Sequence, residues 1–173
     1  MKIEKLMVKK VFSCSPEDDL RVPARAMWEG DCGSVPVVDV SAQVIGMLTD
    51  RDICMAAYTQ GRRLEEIRVQ DVMSKSVVSC RTTDSLEQAE ELMRRQRVRR
   101  MPVLDAEKRL VGLLSINDIA RAARAQSPPA SDASLRHVGL LLADVCEPRP
   151  RPDANCALEP ELRKLSASAQ EIC

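Results

Sequence analysis

Two short stretches carry a hydroxyl three residues ahead of a carboxylate: Thr49 and Asp52 in "GMLTDRDI" (46–53), Ser115 and Asp118 in "GLLSINDI" (112–119). Each follows an apolar run and precedes an alanine-rich stretch, so each sits where a strand gives way to a helix. There the pair has two chemical uses. As a cap, the hydroxyl accepts a first-turn N–H and the carboxylate reaches back to the cap residue, its charge matching the positive helix end. As a binding group, the carboxylate at a helix mouth accepts two hydroxyls at once, as the 2′,3′-diol of a ribose offers, while unpaired N–H groups favour oxygen-rich anions. Local pattern alone leaves both uses open.

The elements that must position these residues are written twice. The two glycines lie 66 positions apart, and the same shift carries Met7 onto Met73, Cys14 onto Cys80, Leu20 onto Leu86, Met27 onto Met93, Pro36 onto Pro102 and Asp39 onto Asp105. No gap is needed, and core positions match together with punctuation residues, which is the mark of an internal duplication. In the second copy, "DSLEQAEELMRRQRV" places Leu86, Ala89 and Met93 on one helical face, and Asp84 with Glu87 has the spacing of a capping box. "MPVLD" and "LVGLL" read as strands about a polar turn, and "SINDIARAARA" reads as a second helix. The first copy follows with "VFSC", a helix around 20–28, "VPVVD", "VIGML" and "TDRDICMAAY"; Pro23 predicts that its first helix starts late or is distorted. The order strand, helix, strand, strand, helix implies an α/β fold with helices covering small sheets. The expected organisation is repeat one over 1–60, a linker over 61–72, repeat two over 73–125 and a proline-rich, flexible tail over 126–173. Six of the ten prolines fall in 128–160, and two pieces of the tail have helical character, 134–145 and 159–170. The first has an apolar cluster, Val138 and Leu140 to Leu142, that wants either the core or a partner protein to cover it.

Composition removes several classes of function. Lys plus Arg equals Asp plus Glu at 26 each, and aromatics are 2% of the chain, so neither a global field nor a stacking platform for nucleic acid is present. The run Arg94, Arg95, Arg97, Arg99, Arg100 is explained in its first part as a solvated helix end that complements the dipole. No run approaches the ~18 apolar residues of a membrane span. The N-terminal stretch has no signal-peptide pattern, and seven cysteines without a C-x-x-C pair suit reduced thiols in a cytoplasmic protein. The single histidine, His137, lies in the tail, so no nucleophile–histidine set assembles within the repeats and no catalysis is expected. His137, Cys146 and Cys156 are irregularly spaced for a zinc site, and no metal is expected.

With these residues on the page, 7–57 and 73–123 resemble a tandem pair of CBS domains, the Bateman module, and the chain is similar to small stand-alone bacterial CBS-domain proteins. The marks are "SVPVVD" with "VIGMLTDRDI" and "RMPVLD" with "LVGLLSINDI". The resemblance implies two βαββα units about a pseudo-twofold axis, sheets packed together with helices outside, two equivalent clefts between them, and a homodimer built through helices. It implies a regulatory sensor, requiring no cofactor, for an adenosine ligand: AMP, ADP, ATP or S-adenosylmethionine. Carried over, the ribose falls to Asp118 beside Ser115 and to Asp52 beside Thr49. Phosphates fall to Arg99 and Arg100, for which the first copy offers only Cys32, Gly33 and Ser34. The adenine walls of the Asp118 cleft are then Val11, Phe12, Ser34 and Val35, and those of the Asp52 cleft are Val77, Val78 and Met101. The competing reading is a ligand-free interaction scaffold in which both hydroxyl–carboxylate pairs serve only as caps.

Overall fold

The structure, a computed structural model, describes residues 2–125 and 132–146. In the first half, α1 (Arg21–Glu29) leads to β1 (Ser34–Val38), β2 (Val44–Thr49) and α2 (Asp50–Gln60). One turn of helix, α3 (Val69–Val72), opens the second half, followed by β3 (Cys80–Arg81), α4 (Leu86–Gln96), β4 (Arg100–Leu104), β5 (Leu110–Ser115), α5 (Ile116–Ala125) and α6 (Asp132–Cys146). This is the mixed α/β architecture that the duplicated pattern implies.

The hairpins β1–β2 and β4–β5 are antiparallel and share one register, each with an irregularity at its far end. Positive backbone φ angles repeat as well, at Asp31 and Arg97 and at Ala42 and Lys108, so even the sparsely populated turn conformations are duplicated. Two departures from the sequence reading are local. The capping box of α4 is Ser85 with Gln88, one residue beyond the Asp84–Glu87 spacing; the Asp84 carboxylate instead accepts the Arg81 amide at 2.7 Å and closes the preceding turn. Helix α1 begins at Arg21, one residue later than the repeat would place it. Pro23 therefore falls in the first turn, where its missing N–H has no intrahelical partner to lose.

Each half is completed by chain from the other copy. The Lys2 and Arg68 backbones bridge to Ser85 and Asp19, while Val8 and Ser74 bridge to Leu113 and Met47, again one relation repeated at a shift of 66. Val8 and Leu113 exchange both backbone hydrogen bonds at 2.9 Å, and Ser74 and Met47 do so at 2.9 and 3.0 Å. Two glycines permit this crossing. A Cβ on Gly112 would stand 2.5 Å from Sδ of Met7, and one on Gly46 would stand 2.5 Å from Sδ of Met73. The apolar cores follow the exchange: Ile3 is fully buried with Met93, Met101 and Leu114, and Ile67 and Val69 are fully buried with Leu20, Val35 and Leu48. A further bridge, Gln43 to Arg109, joins the two hairpin turns directly.

The tail helix read at 134–145 lies within α6, which folds back onto the second half. Leu141 and Val145 enter its core, the buried Glu90 carboxylate meets Nε2 of His137 at 2.7 Å, and Arg94 binds Asp144 at 2.7 Å. The stretch 159–170 and Cys156 lie outside the described residues. Among the described residues no helix is long and apolar enough to cross a membrane.

Candidate ligand cleft between the halves

Both hydroxyl–carboxylate pairs form complete caps. Asp52 Oδ2 accepts the Thr49 amide at 2.9 Å and its hydroxyl at 2.7 Å, and Thr49 Oγ1 accepts the Asp52 amide at 3.1 Å. Asp118 Oδ2 accepts the Ser115 amide at 2.8 Å and its hydroxyl at 2.6 Å, while Ser115 Oγ accepts the Asp118 amide at 3.3 Å. The capping chemistry read from sequence is therefore present twice, and it consumes one carboxylate oxygen of each aspartate.

The surroundings of the two aspartates differ. Asp118 is buried and lines a cleft of about 270 Å³ whose walls come from both halves. Val8, Lys10, Val11 and Phe12 arrive on the leading segment; Asp31, Cys32 and Ser34 come from the first half, and Arg100, Ser115 and Asn117 from the second. The hairpin register explains part of this grouping, because it sets Arg100 directly across from Ser115. The Phe12 ring, 40% exposed, lies against Gly30, where a Cβ would come within 2.8 Å of it. Ser34 Oγ is buried with no hydrogen-bond partner. A buried hydroxyl without a partner carries a desolvation penalty of about 1–3 kcal/mol, which an incoming donor or acceptor would relieve.

A second cavity, of about 350 Å³, adjoins the cleft through Arg100, Ser115 and Asn117 and adds Arg99, Gly33 and Asp50. Among the described residues the Arg99 and Arg100 guanidinium groups have no ion pair or side-chain hydrogen bond, whereas Arg94 and Arg95 are spent on Glu91 and Asp144. In the cleft itself three cations, Lys10, Arg100 and Arg121, face two carboxylates, Asp31 and Asp118, so the balance favours an anion.

Val35 and Met101, at equivalent positions, are fully buried in the two cores. Val77 and Val78 are half-buried, as is Asp52. Several cleft residues escaped the sequence reading, among them Arg121, Asn117 and Lys10. Arg121 Nη2 donates to Asp118 Oδ1, a contact that the i, i+3 spacing on α5 could have suggested. Asn117 sits in the first turn of α5, inside the motif already singled out. Lys10 gives no local signal, since its place depends on the exchange of leading segments. Among the described residues no three of His, Cys, Asp and Glu gather as a metal cluster.

Cys14 and Cys80 occupy matching buried positions behind the β1 and β4 prolines. Burial, reinforced by the nearby carboxylates of Asp18 and Asp84, pushes each thiol up to about 12, so both stay protonated and unreactive at neutral pH.

A duplicated α/β unit, exchanged leading segments and a cap at each helix mouth define a tandem pair of one repeated unit. The family model for the CBS domain matches residues 3–58 and 69–125, and the chain belongs to the CBS-domain family. Similar proteins include the CBS domain-containing protein YhcV of Bacillus subtilis, 36% identical over 118 residues that cover 68% of this chain and 82% of that one. The crystal structure of Hypoxic Response Protein I with two coordinated zinc ions is 27% identical with a TM-score of 0.65, and covers 74% of this chain and all of that one. That of CBSX2 in complex with AMP is 24% identical with a TM-score of 0.62, covering 70% of this chain and 95% of that one, a likeness of fold. A CBS pair is regulatory, with no catalytic role of its own.

Proposed function

We propose that this protein is a sensor that binds one adenosine nucleotide in the Asp118 cleft, between the two halves. The observation that carries the reading is the unpartnered, buried Ser34 hydroxyl in a cleft that also holds the Asp118 carboxylate and the free Arg100 guanidinium. Each can be assigned a part of the ligand. Arg121 is 70% exposed at its side chain and can swing aside, releasing Asp118 Oδ1 for a ribose hydroxyl. The adenine would lie on Phe12 between Val11 and Ser34, giving Ser34 Oγ a ring nitrogen or amino group as partner. Arg100, with Arg99 in the adjoining cavity, would take phosphate, for which guanidinium offers charge and paired donors. A relative of the same fold, CBSX2, binds AMP, which supports the ligand class. The Thr49/Asp52 side has no cation at the position of Arg100, since Ser34 stands there, so it suits at most an adenosyl group without phosphate, such as that of S-adenosylmethionine.

Calorimetry with AMP, ADP, ATP and S-adenosylmethionine tests this. We expect binding tighter than about 1 mM for at least one nucleotide, weakened at least tenfold in Asp118→Asn and little changed in Asp52→Asn. The completeness of both caps without a ligand supports a second reading, the ligand-free scaffold. On that reading no nucleotide binds, and Asp118→Ala lowers only stability, by about 0.5–2 kcal/mol.

A further inference from the structure

The cavity that holds Arg99 and Arg100 is built from matching residues of the two halves that differ in charge. Gly33 and Asp50 of the first half stand in it with Arg99 and Ile116, their counterparts at a shift of 66. The backbone repeats the relation: the Asp50 amide donates to the Gly33 carbonyl at 3.3 Å, and the Ile116 amide to the Arg99 carbonyl at 3.0 Å. The side chains break it. The second half brings a cation and an apolar group, the first half a glycine and a carboxylate. Opposite charges converge beside Gly33, since a Cβ there would lie 3.0 Å from Asp50 Oδ2 and 3.5 Å from Arg100 Nη1. They do not pair: among the described residues Asp50 has no ion pair, and its Oδ1 accepts the Arg51 amide at 2.7 Å. A third wall comes from α6. Leu142 offers a phosphate no donor, and the last turn of α6, ending at Cys146, carries no basic residue to offset the negative end of its dipole.

We propose that Asp50 is a specificity-determining residue that limits the ligand of the Asp118 cleft to a nucleoside monophosphate, an inference that rests on the nucleotide reading above. Two guanidinium groups against one carboxylate leave this cavity a single net positive charge. Lys10 and Arg121 line the cleft and not the cavity. A terminal phosphate carries about −1.5 to −2 at neutral pH and offsets that charge by itself. A second or third phosphate would enter a space whose one further charge, among the described residues, is the Asp50 carboxylate. Carboxylate oxygens only accept hydrogen bonds, as phosphate oxygens do, so no bond between them relieves the repulsion. In the second half Ile116 holds the equivalent place, so the restriction comes from the half that does not supply the phosphate-binding cations.

The test is titration calorimetry of the full chain with AMP, ADP and ATP, each with a chelator and with excess Mg²⁺. It compares the wild type with Asp50→Asn and Glu107→Gln, and a thermal melt checks that each variant is folded. We expect the wild type to bind AMP at least tenfold more tightly than ATP. Asp50→Asn keeps the shape and removes the charge, and it should narrow that ratio at least threefold. Glu107→Gln removes the same charge from the turn between β4 and β5 and should not narrow it. Equal affinity for AMP and ATP, a ratio that Asp50→Asn leaves unchanged, or one that Glu107→Gln narrows equally overturns the assignment of Asp50 while the nucleotide reading stands. Tighter binding of ATP that needs Mg²⁺ and is lost in Asp50→Asn also overturns it, in favour of a metal-bridged triphosphate. No binding of any of the three nucleotides overturns both.

Discussion

At the scale of single residues, the structure separates polar groups left without a partner from groups that are spent. Asp118 and Asp52 make matching caps, and Asp118 shares its cleft with the unpartnered Ser34 hydroxyl and with the Arg100 guanidinium, which has no ion pair among the described residues. Phe12→Ala should therefore weaken nucleotide binding by about tenfold, as loss of a base–aromatic stack worth about 1–3 kcal/mol predicts, with little change in melting temperature because the ring is 40% exposed. Titration calorimetry beside a thermal melt separates the two effects. The buried thiols give a different prediction. Cys14 and Cys80 are raised from 9.0 to about 12 in the folded protein, so the folded state holds more protons than the unfolded one in that window. Their contribution is complete below about pH 9 and is lost as pH climbs toward 12, with a slope of up to about 1.4 kcal/mol per pH unit for each thiol. Denaturant unfolding at pH 8, 9 and 10 should show the decline, and Cys14→Ala/Cys80→Ala should flatten it.

At the scale of elements, the exchanged leading segments decide most. Gly112 is where Met7 and the Val8 carbonyl press onto β5; a Cβ there would meet that carbonyl oxygen at 3.1 Å as well as the Met7 sulfur. Gly112→Val should lift residues 2–8 from the second half and cost about 1–3 kcal/mol, in the range of other overpacked sites. Because the same segment carries Lys10, Val11 and Phe12 into the cleft, nucleotide affinity should fall with it. Hydrogen exchange at the Val8 amide, which donates to Leu113 at 2.9 Å, reads the local opening independently of global unfolding. The first-turn position of Pro23 makes the opposite point: a residue that looks disruptive is harmless once the helix starts at Arg21.

At the scale of the whole molecule, a ligand in the Asp118 cleft would touch the leading segment, the first hairpin and the mouth of α5 together. It would act as a rivet between the halves. At a hundred times its dissociation constant a nucleotide should add about 2.7 kcal/mol to stability, and exchange protection should rise in both halves at once. Protection confined to one half would place the ligand elsewhere. The regulatory output then depends on how the halves settle against each other, since a ligand shifts only an equilibrium whose two states it binds unequally. The helix faces are not equivalent outputs, because α6 occupies one of them.

Much of this was legible in the chain. The shift of 66, the hairpins and the two caps follow from local patterns that short-range geometry enforces, since a hydroxyl three residues before a carboxylate at a helix start has few other places to go. The proposed ligand groups Ser115, Asp118, Arg99 and Arg100, which the family resemblance singles out, lie near one another in sequence or on paired strands. The residues by themselves leave open which half each leading segment completes; the family resemblance implied the exchange for Val11 and Phe12, and only the tertiary structure shows the packing that produces it. The pattern that identifies Met7 with Met73 is symmetric, and it fits equally well whether a segment packs on its own repeat or on the other. Long-range packing breaks that tie, seating Ile3 in the second core and Ile67 in the first, and with it Lys10 and Phe12 come to face Asp118. The same holds for α6, whose apolar face is plain in the sequence but whose choice of the second half rests on Glu90 and Arg94, anchors that the first half lacks.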